Sequence, residues 1–181
     1  MKIFLISNLI IVFFFFQKEN RNLSITSPQA TTHKVGEHFG GGIVFYVDAT
    51  GQHGLIAAPS DQKKFKWYNG SFIVTNATGT AIGTGQANTK TIIAAQGPGT
   101  YAASECDKLE LNGFDDWFLP SKDELNLMRS KKMMIGGFES PGYWSSTEYS
   151  SLYAWGQNFN NGFQNYGNKN SLPSVRAIRA F

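Results

Sequence analysis

Strand-like runs at both ends of the sequence enclose a helical middle, and this order constrains the fold of the 181-residue chain more than any other feature. At the front, Gly40-Gly41-Gly42 leads into Ile43-Val44-Phe45-Tyr46-Val47, a β-branched and aromatic run. Asp48-Ala49-Thr50-Gly51 turns it and Gly54-Leu55-Ile56-Ala57-Ala58 returns, which predicts a β-hairpin. At the back, Tyr143–Thr147, Ala154–Phe159 and Val175–Phe181 read as strands, with Asn160-Asn161-Gly162 and Asn165-Tyr166-Gly167-Asn168 as turns between them. In the middle, Ala102, Ala103, Cys106, Leu109 and Leu111 share one face of a helix over Tyr101–Leu111, ended by Asn112-Gly113. A second helix opens at Ser121, where Ser121-Lys122-Asp123-Glu124 is a capping box followed by Leu125, Leu127 and Met128. Thr75 to Thr91 is rich in Thr, Gly, Ala and Asn and reads as a loop, and a helix start over Thr91–Gln96 is interrupted by Gly97-Pro98-Gly99. Strands, then two helices, then strands describe an α+β domain rather than a repeating βαβ fold.

Cys106 is the sole cysteine, so no intramolecular disulfide forms and core packing must hold the fold. Its place on the apolar helix face predicts a small buried thiol rather than a nucleophile. Ile3 to Phe16 is a run of 14 residues in which only Ser7 and Asn8 are polar, behind Lys2. It falls short of the roughly 20 residues of an ideal membrane-spanning helix. Residues 1–22 therefore read as a secretory signal or, because no small-x-small cleavage site follows Phe16, as an uncleaved N-terminal anchor. No Cys follows the run, which excludes a lipoprotein signal. Residues 23–35 read as a linker; all 19 glycines lie at or after Gly36, so 36–181 read as one domain. Membrane contact is expected only through the N-terminal segment, if it stays uncleaved.

The formal charge is +3, from 16 Lys and Arg against 13 Asp and Glu. Lys2, Lys18, Arg21 and Glu19 all lie in the leader, which leaves 13 cations against 12 anions. A nearly neutral domain argues against nucleic acid as a partner and for a polar, uncharged ligand. With 14% aromatic and 16% charged residues, the chain is neither disordered nor a coiled coil.

Catalytic patterns are sparse. His33, His38 and His53 stand at no metal-ligand spacing and read as isolated surface residues, and no HExxH, CxxC or EF-hand loop occurs. Ser60-Asp61-Gln62-Lys63 matches Ser-x-x-Lys, but no Ser-Asp-Asn or Lys-Thr-Gly motif follows. Gly79-Thr80-Ala81-Ile82-Gly83-Thr84-Gly85 lacks the Gly-Lys-Ser/Thr ending of a phosphate loop. Asp115-Asp116 offers a Ca²⁺ ligand pair or a turn-capping role; no cofactor or metal is expected. Lys63-Lys64-Phe65-Lys66-Trp67-Tyr68 reads either as a cation–aromatic patch or as a solvated loop.

Three segments together resemble one family. They are Gly42–Asp48 with His53–Ala58, Asn112–Leu125 (Asn-Gly-Phe-Asp-Asp-Trp-Phe-Leu-Pro-Ser-Lys-Asp-Glu-Leu), and Tyr143–Glu148 with Val175–Arg179. The chain resembles the Lcl C-terminal domain, a bacterial extracytoplasmic family named for a collagen-like adhesin, from about Gly36 to Phe181. The resemblance implies a C-type-lectin-like α+β fold with two helices, a small antiparallel sheet and long, loop-rich binding surfaces. In the namesake adhesin the domain is linked to sulfated glycosaminoglycans and attachment. This chain has no collagen-like Gly-x-y repeat and no Glu-Pro-Asn or Gln-Pro-Asp sugar motif, so trimeric presentation and calcium-dependent sugar binding do not carry over.

The motif residues Asp115, Asp116, Trp117, Leu119, Pro120, Glu124, Trp144, Ser145, Ser146, Arg176 and Arg179 read as holding the fold. Trp117 and Leu119 bury apolar area, the Ser145–Thr147 hydroxyls bond across strands, and one arginine pairs with Asp115, Asp116 or Glu148. The candidate ligand surface is Trp155, Asn158, Asn160, Asn161, Gln164, Asn165 and Tyr166, where amides meet sugar hydroxyls and rings stack on sugar faces, unless they form a hairpin with core aromatics. The expected function is an exported, cell-surface, periplasmic or secreted binding module for a glycan, another surface polymer or a protein. The alternatives are a structural or interaction domain, or an enzyme with the fold of formylglycine-generating enzymes, whose copper site needs more than one cysteine.

Overall fold

The computed structural model describes residues 31–181. The leader and most of the expected linker lie outside them. Two small antiparallel sheets and four helices make an α+β fold, as the sequence predicts in class, with two more helices than expected. The first sheet has the order β1 (His38–Phe39), β2 (Gly42–Val47), β3 (Gly54–Ala57) and β7 (Ile178–Ala180). The second joins β4 (Gly142–Glu148), β5 (Tyr153–Asn158) and β6 (Gln164–Asn168) in chain order. The front hairpin forms as predicted, with Ile43 opposite Ala57 and Val47 opposite Gly54.

Three predicted elements differ. The first helix, α1 (Gly85–Gln96), begins inside the expected loop. Its buried face is Asn88, Thr89 and Ile92, too polar to register as an apolar stripe. Gly97, at φ 72°, ends it where the Gly-Pro-Gly break predicts. The second helix, α2 (Ala102–Asp107), is shorter than Tyr101–Leu111, because Leu111 pairs with Phe114 around the Asn112-Gly113 turn instead. Asn165–Asn168, expected as a turn, runs as β6, with Trp155 opposite Tyr166 and Gly156 opposite Asn165. The capped helix α3 (Lys122–Ser130) starts at Ser121 as predicted, and the short α4 (Lys132–Ile135) follows.

The predicted C-terminal strand is regular only over Ile178–Ala180, but the run before it joins the two sheets. Trp144 donates its backbone N–H to Ser174 and Ser174 donates to Gly142, on the β4 side. Ala58 donates to Ala177, and Phe118 and Ile178 exchange backbone bonds of 2.8 and 3.0 Å. Val175, Ala177 and Ile178 are buried along the way. The core has two clusters: one around Trp67, Tyr101, Trp117 and Trp144, the other around Phe45, Met128, Tyr143 and Phe159. His33 is not an isolated surface histidine: its ring stacks 3.8 Å from Phe39 and meets Phe181 edge-on. Among the described residues, no helix is long and apolar enough to cross a membrane.

Candidate functional site

The second sheet sets the geometry of the candidate surface. Alternate residues of a strand face opposite sides, and directly paired residues share a side. Gly142 pairs with Asn158, and Trp144 pairs with Gly156, which pairs with Asn165. These five therefore share one face. Trp155 pairs with Tyr166 and Gln157 with Gln164, so these four lie on the other. The expected ligand residues are thus divided between the two faces of one sheet.

An open groove of about 260 Å³ is lined from the first face by Gly142, Trp144, Gly156, Asn158, Phe163 and Asn165 and by Ser171 and Pro173, and parts of Tyr143, Gln157, Tyr166 and Gly167 also line it. It falls just below the usual range of ligand-site volumes, about 300–1,000 Å³. Glycine is required at one point of its floor and leaves little room at a second. A Cβ on Gly156 would press on the Tyr143 carbonyl, and one on Gly167 would meet the Trp144 ring. Trp144 is itself fully buried, with Nε1 donating to the Phe65 carbonyl at 3.0 Å. Phe163 is 67% exposed beside the groove. Asn165 is exposed and, among the described residues, its side chain makes no hydrogen bond.

The other asparagines build the turn before β6. Asn158 Oδ1 accepts from the backbone N–H groups of Asn160 and Asn161 at 2.9 and 3.2 Å, and Asn161 Oδ1 accepts from Phe163 at 3.0 Å. Asn160 thus contributes its backbone and Asn161 both backbone and side chain to the turn, while Asn158 also lines the groove.

On the opposite face Tyr149 and Tyr166 stack in parallel with centroids 4.1 Å apart, and Trp155 meets both edge-on. Lys122 Nζ sits 4.1 Å from the Trp155 ring centroid. That face of the ring is occupied by the Lys122 ammonium. Gln164 donates to the Lys122 carbonyl at 2.8 Å, tying β6 to the start of α3.

Apart from Asp115, the motif residues make contacts within the fold. Trp117, Leu119 and Pro120 are buried, and Pro120 accepts from Ser146 at 2.7 Å. Glu124 completes the capping box and reaches beyond it: its carboxylate accepts from Ser121 and from Gly83, each at 2.7 Å. Burial raises its pKa against those hydrogen bonds. Ser145 Oγ donates across the sheet to the Trp155 carbonyl at 2.8 Å, as predicted for the hydroxyl run. Ser146 Oγ accepts from Asn88.

Arg179 pairs with Asp116, one of the three acids foreseen, while Asp115 remains exposed. Arg176 finds Asp61 instead, and caps the carbonyls of Ala58 and Gly136. Glu148 takes a lysine that the sequence does not single out: Lys169, fully buried, with Nζ 2.5 Å from Glu148 and 4.5 Å from the Trp67 ring centroid. The Lys63–Tyr68 run splits, with its lysines exposed and Trp67 and Tyr68 buried, so those two rings cannot stack on a ligand. Cys106 is fully buried, and desolvation pushes its thiol pKa up. Among the described residues no group of three or more His, Cys, Asp or Glu is arranged to hold a metal ion.

Gly142, Gly156, Ser171 and Pro173 belong to no sequence-predicted site. Only pairing of the strands brings them together; glycines spaced along strand-like runs were the available signal.

Two small antiparallel sheets and four helices, with an open, partly aromatic groove on one sheet, define the class: a small α+β domain. The chain belongs to the Lcl C-terminal domain family, which matches residues 60–179. Among solved structures, a fimbrial protein from Bacteroides ovatus ATCC 8483 is similar with a TM-score of 0.52 at 15% identity. The similarity covers 76% of this chain and 43% of that one, so this chain spans less than half of the fimbrial protein, and at this identity the likeness is one of fold. No curated protein matches the sequence.

Proposed function

We propose that the chain is an exported, surface-associated binding module without catalytic activity, which holds a glycan or another surface polymer in the groove of the β4–β5–β6 sheet. The groove carries this reading: an exposed aromatic ring and an uncommitted amide converge on a shallow site whose floor is cleared by glycine. Family membership, the leader-like residues 1–22 and the likeness in fold to a fimbrial protein support a place at the cell surface, with attachment as the role. A C-type-lectin-like relationship for the fold belongs to the same reading. Binding of the purified chain to a panel of neutral and anionic polysaccharides tests it. Retention of at least one polymer is expected, and retention of none would sink the proposal.

A protein-interaction role is the second reading, favoured by Phe72, Ile73, Val74 and Leu152, which are exposed apolar residues. Ile73 and Leu152 are joined through Lys169, which donates to both their carbonyls. Crosslinking in envelope extracts, compared between the native chain and Val74→Asp, separates the two readings.

A further inference from the structure

We infer that the groove selects an uncharged saccharide segment over a sulfated or carboxylated one. The inference rests on the binding-module reading above and specifies its ligand class.

None of the residues lining the groove carries an ionisable acid or base other than tyrosine. An anionic sugar seated there would lose hydration with no cation to replace it, and a charge so desolvated is costly. The nearby lysines stand outside the lining. Lys63, Lys64 and Lys66 are exposed on the segment that runs beside Pro173–Val175. Lys132 is committed to the Phe159 carbonyl at 2.6 Å.

The polar side chains among the lining residues are amides and hydroxyls: Gln157, Asn158, Asn165, Ser171 and the two tyrosines. An amide offers both a donor and an acceptor, as a sugar hydroxyl does, so the two satisfy one another without any charge. Phe163 supplies an exposed aromatic face whose negative quadrupole attracts the polarised C–H groups of a pyranose ring.

Gly142 gives a clean way to close the site. A Cβ placed on it meets no heavy atom within 4 Å, although neighbouring Gly156 has no such room. Its φ is not in the left-handed region, and it lies in strand β4, where a β-branched residue is well tolerated. Gly142→Val therefore fills groove space while the sheet stays intact.

The test titrates the full chain with dextran, mannan and xylan as neutral probes, and with heparin and alginate as anionic ones. It uses the native chain, Gly142→Val, Asn165→Ala and a Lys63/Lys64/Lys66→Gln triple variant, all checked for an unchanged melting temperature. The expected result is binding of a neutral polymer that varies less than about twofold between about 0.05 and 0.5 M salt. Gly142→Val and Asn165→Ala are each expected to weaken it about tenfold, while the triple variant leaves it unchanged. Retention of heparin or alginate alone, lost with salt and in the triple variant but not in Gly142→Val, would overturn the inference and leave the binding-module reading standing. Failure of all five polymers to bind would remove both.

Discussion

The guanidinium of Arg179 forks onto the carboxylate of Asp116, with Nε 2.6 Å from Oδ1 and Nη2 2.8 Å from Oδ2, and it lies 4.0 Å from the Phe114 ring centroid. A residue near the C-terminus thereby clamps the turn that delivers the chain into Trp117 and α3. Arg179 hydrogen bonds hold the Asp116 carboxyl below its ordinary pKa.

Because the folded pKa is lowered, the contribution of Asp116 is complete above the unfolded value of about 3.9 and fades as pH falls through the folded one. The Asp116 side chain is 42% exposed, so solvent screening limits the loss in Asp116→Asn to at most about 1 kcal/mol at neutral pH. Urea unfolding at neutral pH and well below pH 4 checks this. The gap between native and variant should shrink in acid, and a gap that widens would rule out the clamp as its source.

Lys169 and Glu148 are a buried pair, and Glu148 also accepts backbone bonds from Thr75 and Asn76. Removing one partner strands the other charge in the core, so Lys169→Met is expected to cost about 3–5 kcal/mol. Lys169→Met with Glu148→Gln should recover part of that loss. A double-mutant cycle by chemical denaturation measures the coupling, and additive effects would contradict it.

Gly85 opens α1, where alanine would ordinarily gain about 1 kcal/mol in helix propensity. Here the added methyl would collide with the Glu124 carboxylate and crowd the Ser121 amide. Gly85→Ala is therefore expected to lower the melting temperature by several degrees rather than raise it. Differential scanning calorimetry decides the sign.

Cys106 lies under α1 and the Trp117 cluster with its thiol pKa raised by burial. In the native chain it should resist a thiol reagent at pH 8 for hours, then react within minutes in denaturant. Fast labelling of the folded chain would mean that its helix opens locally.

The elements legible in the sequence were those whose signal is local. The capping box at Ser121 and the front hairpin needed only neighbouring residues, and both formed at the expected places. Helix α1 was hidden because its inward face uses Asn88 and Thr89, which serve distant backbone: Asn88 bonds Gly79, and Thr89 bonds Leu119. Strand β6 was hidden because Gln164–Asn168 has the composition of a turn, and only Trp155 and its neighbours on β5 make it a strand. The groove was partly legible through Asn158 and Asn165. Its division from Trp155 was not, because facing depends on the pairing between strands.

The run from Ser174 to Ala180 has a consequence for how the protein is made. It is the last of the described segments to leave the ribosome, yet both sheets lean on it. Until it emerges, the front hairpin lacks its outer neighbour and β4 its flanking backbone. A break in this run would therefore loosen both sheets together.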